Sequence, residues 1–597
     1  MKKIFLFIAL TAMFAVSCTE SLEKYPLDKL SETTLFSSAS GLSAFSNTFY
    51  TILPSASSYE NAALCCLDAA DNYFKNKRLD AITGNRIPAS TGTGEWNSWG
   101  TLRDINTLLA DLELCEDKAL AAQYEGLARF FRAYFYFEKV RRFGNVPWYD
   151  APLGSDDEAL YKAQDDRKLV IDNVLADLDC AIEQLSKTKA VYTITSWTAL
   201  ALKSRVCLFE GTFEKYHDID QTNATELLKL CADASALFIK ESGYSLYTTG
   251  APDHDYFDLF TANNYGGSPT TTEVILARNY SSTYGTMHRL HACLLTSGEG
   301  ATGMNRKSVA SYLMKDGSRF TDKAGWEKMQ FAEELKDRDP RLTQSIRYPG
   351  YHRIGNEKTI APDLNNCVSG YQPTKFLMTE DKDVHGQSDV DLILFRAGEI
   401  LLNYAEAKAE LGTITQDDLD ITINALRKRA GIADAGKLTL DVTADPFLTD
   451  PKWGGYTHVT DPVILEIRRE RMCELNQEGF RYFDLMRWKE GQALCAPLYG
   501  MYFPGPGEYD LDQNGSVDVC LYTTDKPSTS APVVLKIDEE IFLSDGESGM
   551  IEKFKNSDPA VWDENRDYLY PLPLQELRLA GSNLVQNPGW DDGKGTN

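Results

Sequence analysis

Gly126-Leu-Ala-Arg-Phe-Phe-Arg-Ala-Tyr-Phe-Tyr-Phe-Glu-Lys-Val-Arg-Arg-Phe-Gly-Asn-Val-Pro-Trp148 is the stretch that decides the fold. Leu127, Phe130, Phe131, Tyr134, Phe137 and Val140 recur at three- and four-residue spacing, which predicts the back half of a long helix with a broad apolar face. Ala128 and Ala133 leave room for a neighbouring helix to come close. Arg141 and Arg142 fall in the last turn, where cations suit the negative helix end. Gly144 is placed to cap with positive φ, and Pro147 forbids resumption. A helix this rich in rings needs helices on both sides of it.

Working outward, the chain supplies them. Residues 32–53 predict a first helix, stopped by Pro54. Trp96 begins a helical pattern through Leu102, Ile105, Leu108 and Leu112, broken near Asp117. Leu169 to Leu185, Ser196 to Phe209 and about 223–240 are further amphipathic segments. Paired helices with small contact residues resemble tetratricopeptide units, although the 34-residue consensus is not visible. From 241 to 390 periodicity fades, with one strand-like run at Glu273 to Ala277. Order returns as helices at Leu392 to Leu411, at 417–430 and from Pro462 to about Asn476. The last hundred residues are punctuated by Gly and Pro.

Composition bounds the function. The 597 residues carry a net charge of −26, and the first 17 hold Lys2 and Lys3 but no acid, so the remainder is more acidic still. Such a chain repels phosphate backbones and anionic lipid, which argues against nucleic acid and against electrostatic membrane binding. Met1 to Ser17 reads as a secretory signal with a 13-residue apolar run, too short to span a bilayer. Ala15-Val16-Ser17-Cys18 resembles a bacterial lipobox, which makes Cys18 an acylated N-terminus and lipid the only membrane anchor. The alternative is an ordinary cleaved signal with a chance cysteine. Of twelve cysteines, those other than Cys18 are odd in number and scattered over helical faces, as suits buried hydrophobes. Cys65 and Cys66 read as two packed thiols or a vicinal disulfide.

Several motifs in order resemble the SusD/RagB family of outer-membrane nutrient-binding lipoproteins. They are the helix ending at Gly144-Asn-Val-Pro147, the Trp96 to Asn106 helix start, Arg338-Asp-Pro-Arg-Leu342, Arg396 to Gly412 with Asn424 to Gly431, Arg468 through Trp488, and Asp567 to Trp590. The resemblance implies a mostly α fold of tetratricopeptide-like pairs with an irregular, loop-rich second half. On that reading residues 1–17 are the signal, 18–30 a lipidated tether and 31–597 one SusD-like domain. Its scaffold spans about 31–240 and 391–490, with a loop-rich insert at 241–390 and a C-terminal region at 491–597. It further implies a surface lipoprotein that binds glycan fragments, or peptides in some branches, above a SusC-like TonB-dependent outer-membrane transporter, and that makes and breaks no bond.

No His-Glu-x-x-His, Gly-x-Ser-x-Gly or phosphate-binding loop is present. A glycosidase needs two placed carboxyls, which counting cannot reveal. Sugars stack on flat rings and bond polar edges, and the loop from Asp71 to Trp99 offers both. The candidate ligand-binding residues are Asp71, Tyr73, Arg78, Trp96 and Asn97; the resemblance adds a mid-chain loop between Tyr265 and Tyr284, represented here by Tyr284. Trp96 and Trp99 also fit the core, Trp99 more so. Arg481, Asp484 and Arg487 read as a structural ion-pair network. His288, His291 and Cys293 read as hydrogen-bonded side chains in preference to metal ligands. No cofactor is required, but Asp510, Asp512, Asn514, Ser516 and Asp518, with Gly515, match a calcium loop. Leu521 replaces the closing Glu, and Pro504 and Pro506 exclude an EF-hand helix, so an Asx-rich turn between strands is the competing reading.

Overall fold

The computed structural model describes residues 35–56, 70–91 and 94–594. The signal sequence, Cys18, the tether and Cys65-Cys66 lie outside the described residues. The chain is helix-rich, at 44%. After α1 (Ala39–Ser46) come α2 (Trp99–Asp111), α3 (Lys118–Phe143), α4 (Arg167–Gln184), α5 (Ser196–Tyr216) and α6 (Gln221–Glu241). Each start of α3 to α6 has a side-chain cap that the sequence carries just before it. Asp117 accepts from the amides of Ala119 and Leu120 at 3.1 Å. Asp166 and Asp220 do the same for α4 and α6, and Thr195 with Thr198 forms a capping box for α5.

Helix α3 packs against α2 and α4, α4 against α5, and α5 against α6. Its burial goes beyond one face: Phe130, Phe131, Phe135, Tyr136 and Phe137 are all inside. At Gly211 of α5 a Cβ would stand 3.0 Å from the Leu228 side chain and 3.2 Å from the Ala224 carbonyl, so only glycine admits α6 this closely. Gly144 ends α3 at φ +69°, its amide 2.9 Å from the Val140 carbonyl.

The second half uses shorter pieces. Helix α7 (Ala397–Glu410) lies on α5 and α6, α8 (Pro462–Glu474) on α7, and α9 (Arg481–Arg487) on α5. The nine strands of the described residues are short: β1 (Tyr73–Phe74), β2 (Val274–Arg278), β3 (Gly303–Met304), β4 (Leu392–Arg396), β5 (Tyr499–Phe503), β6 (Gly507–Tyr509), β7 (Val519–Tyr522), β8 (Val533–Lys536) and β9 (Gly549–Glu552). They pair as β1–β3, β2–β4, β5–β9 and β6–β7–β8, antiparallel except for β7–β8. Two expectations are corrected. Leu392 to Arg396 is strand, because all five side chains are buried and the run pairs with Val274 to Arg278; a short apolar run has no period to tell strand from helix. The expected 417–430 helix is split at Thr422, whose ψ of −92° breaks the turn between Gln416–Ile421 and Ile423–Arg429.

Around α8 the interior is ionic. Arg396 reaches Glu273 at 2.8 Å and Glu474 and Glu478 at 2.7 Å. Arg341 reaches Asp339, Glu470 and Glu474 within 2.8 Å, and Arg427 joins Glu466 and Glu470. Arg429 also bonds Glu474. Arg487 pairs with Glu406, whose other partner is the Trp488 indole at 2.7 Å. Burial pushes the Glu406 carboxyl up, but Arg487 and its neighbours prevail and hold it down at about 2. The Arg338-to-Leu342, Arg396 and Arg468-to-Trp488 motifs are thus members of one buried lattice.

Candidate functional site

Where the aromatic helices meet this lattice, a cavity of about 700 Å³ opens. Its floor is the last two turns of α3, and its walls are Arg205 of α5, β4 with the start of α7, and the Phe480–Arg487 segment; its rim includes Ile52 to Ser55, Asp80, Glu95 and Ser98. Phe135, Phe137, Phe395, Phe480, Phe483 and Tyr570 bring ring surfaces to it. The carboxylates of its walls are engaged. Glu399 takes two bonds from Arg205 at 2.7 Å, Glu478 binds Lys375 and Arg396, Asp484 binds Arg471 and Arg487, and Glu138 is shared by Arg141 and Arg142. Burial raises the Glu138 carboxyl, and the two arginines more than offset it. A second, more apolar groove of about 470 Å³ lies beside Trp96, Trp99, Tyr149 and Tyr161.

The six residues expected to bind ligand do not come together. Asp71 is 2% exposed; Arg481 grips both its oxygens at 2.6 Å and Lys307 bonds one of them. Burial opposes its charge, but these cations hold it well below the carboxylate range. Tyr73 is 0% exposed in β1, opposite Met304. Both expectations are corrected: these side chains are core, since an aspartate closed between two cations presents nothing to a ligand. Arg78 lies over the Phe554 ring at 4.9 Å and donates to the Asp558 carbonyl. Trp96 is 4% exposed, edge-on to Phe143 at 4.9 Å, and borders the apolar groove. Asn97 is exposed, and its carbonyl accepts from Lys139 at 2.5 Å. Tyr284 stands 80% exposed in the turn closed by Ser281 and Thr286.

None of the six lines the 700 Å³ cavity, yet their chain neighbours Asp80, Arg86, Glu95 and Ser98 do. Arg141 and Arg142, which the sequence places at the helix end, line the cavity too, and two adjacent cations closing an aromatic helix are their signal in the sequence. Arg481, Asp484 and Arg487 are members of the lattice, as expected. His288 bonds the Val390 carbonyl, and His291 bonds Asp383 and the Phe376 carbonyl.

The acidic loop joins β6 to β7. Oxygen atoms of Asp510, Asp512 and Asp518 lie within 4.8 Å of one another. Asp510 also accepts from the amides of Asn514 and Gly515, and Asp518 from that of Leu511 at 2.7 Å. Burial, with Asp512 and Asp510 adding to it, raises the Asp518 carboxyl. Asn514 turns its side-chain oxygen to the Ser516 amide at 2.8 Å, and Ser516 is exposed. The loop is an Asx-rich turn between strands in which three of the five expected ligands, Asp510, Asp512 and Asp518, converge, while Asn514 and Ser516 stay outside that group.

Residues 259–590 match a family model described as the SusD family, and residues 35–197 match one described as starch-binding associating with outer membrane. SusD-like protein P38 of Formosa agariphila is 25% identical over 72% of this chain and 80% of its own length. SusD-like protein P2 of the same organism is 22% identical over 99% of this chain and its own full length. Among solved structures, a SusD-like carbohydrate-binding protein from Bacteroides fragilis superposes with a TM-score of 0.67 at 20% identity, covering 92% of this chain and 100% of the other. A second SusD-like protein from that species gives 0.66 at 20% identity, covering 95% and 100%.

Proposed function

Because the chain belongs to the SusD family, we propose that it captures oligosaccharide outside the cell and hands it to a SusC-like TonB-dependent outer-membrane transporter, anchored to that membrane through lipid at Cys18. The observation that carries the reading is the cavity at the helix–lattice seam, where rings for stacking stand beside fixed polar groups for hydroxyl edges. The starch-binding description of the N-terminal family match and the carbohydrate-binding relative with the same fold support it. The paired carboxylates of the cavity fit binding better than hydrolysis, which needs a carboxylic acid kept protonated near neutral pH. Glu138 is held in the opposite direction.

Affinity from stacking and edge hydrogen bonds in an open cavity is expected to be on the order of micromolar or weaker. The test is retardation of the purified protein in native gels containing polysaccharides, with reducing ends assayed in parallel. Retardation without released sugar supports capture. Released product would favour a glycoside hydrolase, and stabilisation by a peptide mixture with no glycan response would favour peptide uptake. Co-purification of a TonB-dependent barrel tests the hand-over.

We also propose a structural calcium ion at Asp510, Asp512 and Asp518. Hard cations take six to eight oxygens, about half of which this loop and water must add. Calcium should raise the melting temperature relative to chelator, and Asp512→Asn should abolish the difference.

A further inference from the structure

The cavity floor departs from the rest of the molecule in charge. The chain is strongly acidic, and elsewhere in the cavity each wall arginine has its own carboxylate. Arg205 is matched by two bonds from Glu399, Arg487 by Glu406 and Asp484, and Arg471 by Asp484. Arg141 and Arg142 instead share a single oxygen of Glu138, at 2.8 and 2.6 Å. The Nε atoms of both are buried and have no hydrogen-bond partner among the described residues. Arg141 lies over the Phe483 ring at 3.9 Å and Arg142 over the same ring at 4.9 Å, so the ring fixes both guanidinium planes without neutralising them.

Among the described residues, two more cations line the cavity without an ion pair to a carboxylate. Lys139 is spent on the carbonyls of Glu95 and Asn97, and Arg86 on the Tyr482 hydroxyl and the Asp567 carbonyl. Burial, reinforced by Arg142, pulls the Lys139 ammonium down to about 7. Burial likewise pulls Arg141 down to about 10 despite Glu138. Burial is the larger cause of both shifts and Arg142 a smaller one; Arg142 itself is raised, because Glu138, Tyr570 and Glu95 outweigh its burial. The arginine side chains remain 14% and 15% exposed, so a ligand in the cavity can reach them.

We propose that the cavity selects acidic glycans, seating a sugar carboxylate or sulfate against Arg141 and Arg142. The inference rests on the reading of the cavity as a glycan site and names the class of glycan. A planar or tetrahedral oxyanion answers the paired guanidinium groups, and the missing half of the ion pairing, in a way that a neutral hydroxyl does not. The acidic exterior repels such a ligand at long range. Salt screens that repulsion beyond about 8 Å, whereas contact inside the cavity is screened much less.

The experiment is calorimetry on the full mature protein with matched pairs: an oligogalacturonate and its methyl ester, and a sulfated galactan oligomer and its desulfated form. At least tenfold tighter binding of one or both charged members, persisting as salt is added, is expected. The pair that responds distinguishes carboxylate from sulfate. Arg141→Gln with Arg142→Gln should erase the preference of the charged over the neutral member of each pair. Because that variant removes buried charges and is open to misfolding, the matched-pair and salt comparisons on the unaltered protein stand independently of it. Equal or tighter binding of both neutral members overturns the acidic selectivity and leaves glycan capture standing. Failure of all four to bind, in a protein that melts cooperatively, overturns this proposal, and absence of retardation by any polysaccharide would remove capture as well.

Discussion

The aromatic helices α2 to α5 and the ionic region around α8 have equally buried interiors made by opposite means. Around α3 the contacts are ring on ring: Phe130 with Phe131, Trp96 with Phe143, Phe137 with Phe209. Around α8 the same depth is filled by arginines and carboxylates, several of which, such as Arg341, Arg396 and Glu474, each bond three partners. The ring contacts of the first depend on shape and water exclusion and do not titrate, and only a few buried ion pairs, such as Arg132 with Asp177 and Arg167 with Glu210, accompany them. The second is costly to desolvate and holds only while every charge is matched. Of the six motifs that mark the family, three fall in the second region, where they lock the scaffold and also wall the cavity. The cavity lies at the seam, where one region supplies rings and the other supplies oriented charge.

The comparison can be broken at its most loaded point. Glu474→Gln leaves Arg341, Arg396 and Arg429 short of a shared counter-charge, and a loss of about 3–5 kcal/mol in urea unfolding is expected. A loss below about 1 kcal/mol would mean the lattice adds little. Phe130→Ala, in the apolar half, should cost a similar ~3–5 kcal/mol through the cavity it leaves. Its cost should stay the same as pH falls from 4.5 towards about 2, where that of a lattice variant should shrink.

Acid sharpens the contrast. Glu406 titrates in the fold at about 2 against an ordinary 4.5. A depressed acid stabilises above its unfolded value, so this contribution is present above pH 4.5 and drains away as pH falls towards 2. Amide exchange should show α8 and α9 losing protection on acidification before α3 to α5 do; the reverse order would refute the assignment.

Smaller effects follow. Gly144→Ala forces a side chain into φ +69° and to 3.0 Å from Leu569, and should cost about 1–3 kcal/mol by thermal shift. Tyr284→Ala, at an exposed turn, should leave stability within about 0.5 kcal/mol. It is informative for binding alone: unchanged glycan affinity would remove Tyr284 from the candidate site.

The sequence alone determined the helical half. Phe130 to Val140 could be placed because the 3.6-residue period and the Gly144 stop each act within a few residues along the chain. The acidic loop at 510–518 was legible for the same reason, since its carboxylates converge through a turn of nine residues. Tertiary structure decided the rest. Asp71 meets Arg481 across 410 positions, so no local pattern could tell a ligand-binding aspartate from a buried ion pair. Leu392 to Arg396 became strand only because Val274 to Arg278 was there to pair with it. The charge balance of the cavity emerged last, since it depends on which arginines found a carboxylate of their own, and that is settled only when distant segments come together.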